Sequence, residues 1–213
     1  MRQLFLLAFL LLPHLLLAQF GDLNDFKPGS YILQAKPTAR LAGMLKLRGN
    51  DQLVVQGFRT KNLKLAPADV LTFRLGDRKY VTASDFEVNQ GLIHLSVDRA
   101  FVEQLDSGQV VLLRYDYTVG GGPMMGAGGM MYGGTSASRS LYLLRKDGAL
   151  LPIPANSFNG GQKFRDALLP HLIARPDLTK MVVDKRVTSE DMPDIIHALN
   201  TGKTFRAITV PAN

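Results

Sequence analysis

Short apolar stretches separated by turn-forming residues dominate the chain from about residue 30 to residue 153. Ser30 to Ala35, Leu41 to Arg48 and Gln52 to Phe58 are rich in Leu, Ile, Val and aromatic residues. Lys36-Pro37-Thr38 and Gly49-Asn50-Asp51 divide them, and both carry the turn chemistry that ends strands. Met44 to Arg48 alternates in part between apolar and polar, as a half-buried strand does. Val70 to Leu75 and Lys79 to Thr82 flank Gly76-Asp77-Arg78, which predicts a hairpin. Ser84 to Val88 and Leu92 to Val97 extend the series. Val97 to Leu105 fits either a helical face (Phe101, Val102, Leu105) or a strand. Gln109 to Val119 is the strongest strand, because Val110, Val111, Leu112, Leu113, Tyr115 and Tyr117 all favour extended backbone. Ser140 to Arg145 is its expected partner, and Asp147-Gly148 then turns the chain into Ala149 to Ile153.

After Pro154 the period becomes helical. Phe164, Ala167, Leu168 and Leu172 share one face of Gln162 to Ala174, with Pro170 expected to kink or restart the helix. Pro176 opens a short helix to Val183. Thr188 with Asp191 reads as an N-terminal cap for a helix bearing Met192, Ile195, Ile196 and Leu199, and Gly202 ends it. Phe205 to Val210 reads as a last extended segment. The pattern predicts an α+β fold: a small antiparallel sandwich or barrel-like β module, followed by a short helical C-terminal part packed on it.

The ends and interruptions divide the chain further. Arg2 precedes an almost unbroken apolar run, Leu4 to Leu17, and Ala18 offers a small residue at a cut. The run is shorter than the ~20 residues of a spanning helix, so residues 1–18 read as a secretory signal peptide. An uncleaved anchor is the alternative. Residues 19–28 read as an exposed leader, 29–155 as the β-rich module and 156–213 as the helical part. Gly120 to Ser138 holds 8 glycines and 4 methionines among its residues and no acid or lysine. It is expected to be a long mobile hairpin insertion.

There is no cysteine and no tryptophan. Disulfides and lipid attachment through cysteine are therefore closed, and packing alone must hold the fold. Charge is uneven: residues 19–80 carry 11 Lys and Arg against 5 Asp and Glu, while 81–213 carry 13 of each. A basic β module in an exported protein favours an anionic envelope component or another envelope protein over nucleic acid. Solubility and edge protection are the plainer explanation of scattered Lys and Arg. No second apolar run predicts a transmembrane segment in the mature chain.

Catalytic patterns are sparse. His94, His171 and His197 show no ligand spacing. No G-x-S-x-G elbow occurs, and Ser138 and Ser140 read as turn residues. Asp85, Glu87, Asp98 and Glu103 supply the carboxylates that glycoside chemistry would need as a pair. Gly126 to Met131 lacks the G-x-G-x-x-G spacing of a phosphate loop. Met124, Met125, Met130 and Met131 are soft thioethers that suit Cu(I), an adaptable apolar contact surface or simple filler. No catalytic residue and no cofactor are assigned.

The order of features resembles an uncharacterised family of small exported bacterial envelope proteins. The residues that carry the resemblance are Phe101 to Leu112, Tyr142 to Gly148, Phe164 to Leu172, Pro176-Asp177-Leu178, and the helix reaching Leu199-Asn200. It implies export and a two-part architecture, and no known activity. The leading expectation is an exported, non-enzymatic envelope protein with a binding or structural role. An envelope hydrolase with a dispersed acidic site, and Cu(I) binding by the methionine loop, are the alternatives.

Overall fold

The computed structural model describes residues 26–57, 61–90, 93–120, 124–125, 131–132, 136–153 and 161–205. The expected signal peptide 1–18, Met130 and residues 206–210 of the expected last extended segment lie outside them. The fold is α+β, with strands first and helices after. The strands are β1 (Lys27–Leu33), β2 (Arg40–Arg48), β3 (Gln52–Val55), β4 (Leu63–Leu65), β5 (Val70–Leu75), β6 (Arg78–Gln90), β7 (Ile93–Asp106), β8 (Val111–Val119), β9 (Met124–Met125), β10 (Met131–Tyr132), β11 (Ala137–Lys146) and β12 (Ala149–Ile153). The helices are α1 (Gln162–Leu168), α2 (Pro176–Val183) and α3 (Met192–Thr201), with single 3₁₀ turns at Leu169–His171 and Ser189–Asp191. Ten strands form one antiparallel sheet in the order β12-β11-β8-β7-β6-β5-β1-β2-β3-β4.

The sheet curls in two directions. Asn50, in the turn between β2 and β3, accepts a hydrogen bond from the Phe101 N–H at 2.7 Å. Its side-chain amide donates to the Asp116 carbonyl at 2.6 Å. The β7–β8 ladder stops at Glu103 opposite Arg114, so this one asparagine occupies two backbone groups beyond the ladder's end. β3 stands five strands from β7 in the sheet order, so the N-terminal strands must fold back over β6 and β7 to make this contact. The enclosed face is apolar: Tyr31, Leu45, Leu53, Val55, Leu65, Val70, Phe73, Tyr80 and Phe101 are buried together. Phe73 stacks on Tyr80 with centroids 4.7 Å apart and meets Phe101 edge-on at 5.1 Å.

The opposite face of β6 and β7 closes a second core. Ala83, Phe86, Val88, Ala100 and Val102 are buried there with Leu113 of β8 and Leu143 of β11. The neighbouring residues Leu112 and Leu144 point the other way, into a third core shared with Phe164, Leu168, Leu178, Val182, Ile195, Ile196 and Leu199 of the helices. The helices therefore pack on the outside of the second curl.

Several elements depart from their expected bounds. Val97 to Leu105 is strand throughout: Phe101 serves one core while Ala100 and Val102 serve another, so both faces are apolar and the alternation disappears. The segments from Lys79 to Thr82 and from Ser84 to Val88 form one strand. β1 begins at Lys27, inside the segment expected to be an exposed leader. β4 was not expected. Ser138 and Ser140 lie within β11 rather than in a turn. Within the expected hairpin insertion, β9 and β10 form a short ladder in which Met125 pairs with Met131 and Met124 with Tyr132. The Thr188 cap is present as a capping box, but it closes the 3₁₀ turn Ser189–Asp191 that leads into α3 rather than α3 itself, with Asp191 accepting from the Thr188 N–H at 2.7 Å. α3 stops at Gly202, whose φ of 72° is left-handed and favours glycine. Pro170 ends α1 early in a 3₁₀ turn. No helix among the described residues is long and apolar enough to cross a membrane.

Candidate functional site

The outward face of the N-terminal strands carries the basic charge. Antiparallel pairing sets Ser30 of β1 opposite Arg74 of β5, and Arg74 opposite Lys79 of β6. Ile32, one step along the same face of β1, stands opposite Arg40 of β2 and Thr72 of β5. Ser30, Ile32, Arg40, Thr72, Phe73, Arg74 and Lys79 line a shallow depression of about 90 Å³. None of these residues is acidic. Arg40 and Arg74 are exposed, and no ion pair joins Arg40, Arg74 or Lys79 to a carboxylate among the described residues. Arg74 and Lys79 are like charges directly across a ladder, an arrangement that costs stability. The Thr72 hydroxyl is already committed, donating to the Tyr80 carbonyl at 2.8 Å.

The four carboxylates considered for paired acid chemistry do not converge. Glu103 is buried between two arginines, with Arg114 Nη2 at 2.6 Å and Arg78 Nε at 3.8 Å. This carboxylate is thus engaged as a structural counter-ion within the sheet. Asp85 is exposed in left-handed backbone (φ 59°) and lines a separate cavity with Thr82, Ser84, Arg145, Gly148 and Leu150. Glu87 and Asp98 are exposed and line neither depression.

The histidines also stand apart. His94 belongs to β7, paired with Asn89. His171 ends the 3₁₀ turn after α1, where burial, and secondarily the Lys146 charge, hold its pKa below the usual histidine value. His197 of α3 lies 2.8 Å from the Asp106 carboxylate. That carboxylate also accepts from the Asn200 amide at 2.9 Å, and Asn200 bonds both the N–H and the carbonyl of Val110. This cluster docks α3 on the β7–β8 turn. Among the described residues no group of three or more His, Cys, Asp or Glu could hold a metal ion. Of the methionines, Met125 and Met131 are opposite in the small β9–β10 ladder and Met124 is beside them.

The convergence of Arg40, Arg74 and Lys79 was not legible by residue number. The compositional excess of positive charge was visible; its placement on one face depends on the register of four strands. No family model, curated protein or solved structure matches the chain.

Proposed function

We propose that the protein is an exported, non-enzymatic envelope protein that binds an anionic envelope component through the outward face of β2, β1, β5 and β6. The carrying observation is the Arg40, Arg74 and Lys79 cluster, held together at a cost in like-charge repulsion with no acid in its lining. An anionic surface relieves that repulsion and gains from three cations at once. The shallow, open shape suits a polymer or headgroup layer better than an enclosed small molecule. The signal-peptide reading of residues 1–18 supplies the route to that compartment, and the resemblance to small exported envelope proteins supports the same assignment.

Sedimentation with phosphatidylglycerol vesicles and retention on an immobilised polyuronate test the binding. The wild type is expected to bind one of them, with affinity falling as salt rises. The Arg40→Gln, Arg74→Gln, Lys79→Gln triple variant is expected to lose at least tenfold in affinity. A wild type that binds neither material, or a triple variant that binds as well as the wild type, overturns the reading. Export is tested separately: cell fractionation with N-terminal sequencing should recover a chain that starts near Gln19 outside the cytoplasm.

A further inference from the structure

The second curl of the sheet closes without a complete ladder. β12 is the terminal strand of the sheet order and lies against β6, although the two are not neighbours in hydrogen bonding. Arg145, near the end of β11, bridges the seam: its Nη2 donates to the Thr82 carbonyl of β6 at 2.9 Å. Beside this bridge is an open cavity of about 460 Å³, lined by Thr82, Ser84, Asp85, Arg145, Gly148 and Leu150. That volume falls in the range of small-molecule sites, ~300–1,000 Å³.

Three independent features mark the cavity. Arg145 is half-buried, yet no carboxylate pairs with it among the described residues, and the bond to Thr82 uses only part of its donor fork. Burial alone lowers its pKa, with no opposing charge to offset the desolvation. The Ser84 hydroxyl has no intrachain partner among the described residues, whereas the Thr82 hydroxyl is engaged with the Pro67 and Val70 carbonyls. Asp85 is held with φ at 59° in the wall, a strained backbone state of the kind that accumulates at ligand sites. Leu150 is the one apolar side chain in the lining, so a hydrophobic ligand has little to bury against.

We propose that this cavity binds a small hydrophilic molecule bearing a single carboxylate, held by the Arg145 guanidinium and the Ser84 hydroxyl, with a hydroxyl or amine of the same molecule donating to Asp85. The planar fork of a guanidinium matches the two oxygens of a carboxylate. One cation balances one carboxylate. A phosphate dianion would leave excess negative charge beside Asp85 and is disfavoured. The site uses Thr82, Ser84 and Asp85 of β6 with β11 and β12, and it shares no lining residue with the cationic face of β2, β1, β5 and β6, so loss of either leaves the other readable.

Amide-resolved NMR titration of the purified protein with lactate, glycine, propionate and inorganic phosphate tests this. Lactate or glycine should give saturable shifts at the Ser84, Gly148 and Leu150 amides, with propionate and phosphate at least fivefold weaker. Asp85→Asn should bring lactate and glycine down to the propionate level. Arg145→Gln should weaken them at least tenfold. Because Arg145 also bridges the seam, Arg145→Lys serves as a second variant: it keeps the charge and removes the fork, and with the spectrum otherwise preserved it should still weaken carboxylate binding at least fivefold. The proposal fails if neither lactate nor glycine gives saturable shifts, if Arg145→Lys binds as well as the wild type, or if phosphate binds most tightly.

Discussion

Glu103 and Arg114 stand opposite each other where the β7–β8 ladder ends, with Arg114 Nη2 2.6 Å from Glu103 Oε2. The Glu103 side chain is 11% exposed and that of Arg114 26%, so the pair is largely withdrawn from water. Arg78 reaches the same carboxylate at 3.8 Å from a side chain that is 62% exposed. The two arginines therefore differ in what their loss leaves behind. Arg114→Ala strands a buried carboxylate and is expected to cost about 2 kcal/mol, below the ~3–5 of a fully buried pair because Arg114 keeps some contact with water. Arg78→Ala is expected to cost under about 0.5 kcal/mol. Urea unfolding of the two variants checks the ranking, and equal losses would refute it.

Arg175 ties the start of α2 to the end of α3. It donates to the Ala198 carbonyl at 2.5 Å and to the Lys203 carbonyl at 2.9 Å, and it forks onto Asp177 at 2.7 and 2.9 Å. The Arg175 hydrogen bonds bring the Asp177 carboxyl from its ordinary 3.8 down to about 2. Folding thus depresses this pKa. Its stabilising contribution is complete above pH 3.8 and disappears as pH falls through about 2. The stability difference between wild type and Asp177→Asn should be constant from pH 7 to about pH 4 and shrink toward zero near pH 2. Asp177 is half exposed, so the difference is small and is best measured at low salt. A difference that grows below pH 4 would contradict the assignment.

Asn200 is the single side chain that satisfies both backbone groups of buried Val110, at 3.0 and 2.8 Å. Asn200→Ala leaves them unpaired and is expected to cost about 2 kcal/mol. Gly108 is the adjoining position: a Cβ there would come within 2.7 Å of Asn200 Cγ and 2.8 Å of its Cβ. Gly108→Ala should therefore disturb the same contact. The double variant is expected to cost less than the sum of the two single ones, because the second change meets a contact already lost. Thermal unfolding of the four proteins measures the coupling, and strict additivity would separate the two positions.

Legibility followed physical locality. Val70 to Leu75, Ala149 to Ile153 and Pro176 to Val183 are bounded by turn residues or proline within a few positions, and their predicted limits match the structure. The Thr188–Asp191 cap spans three residues and was equally visible. Val97 to Leu105 was ambiguous because β7 serves one core with Phe101 and another with Ala100 and Val102. Burial on both faces erases the period of two that marks a strand. β4 is only Leu63-Lys64-Leu65, a signal too short for periodicity, and it exists through pairing with β3. The two candidate sites lay beyond reach for the same reason. Arg145 meets Thr82 across 63 positions, and Arg40 comes near Arg74 only because β1 pairs with β2 on one side and β5 on the other.

The cationic face carries a prediction in which stability and binding move in opposite directions. Arg74 and Lys79 are cross-strand neighbours with the same charge. Their repulsion weakens the β5–β6 hairpin by roughly a few tenths of a kcal/mol, more at low ionic strength. Arg74→Thr removes it and places a β-branched residue with good strand propensity in the ladder. The variant should unfold at slightly higher urea than the wild type, with the gain shrinking as salt rises. The same variant should bind phosphatidylglycerol vesicles or polyuronate more weakly, and with a shallower dependence on salt, because one cation has left the surface. A residue kept only for solubility would show the first effect without the second. A variant that is stabilised and still binds the anionic material as tightly as the wild type would reduce Arg74 to surface charge.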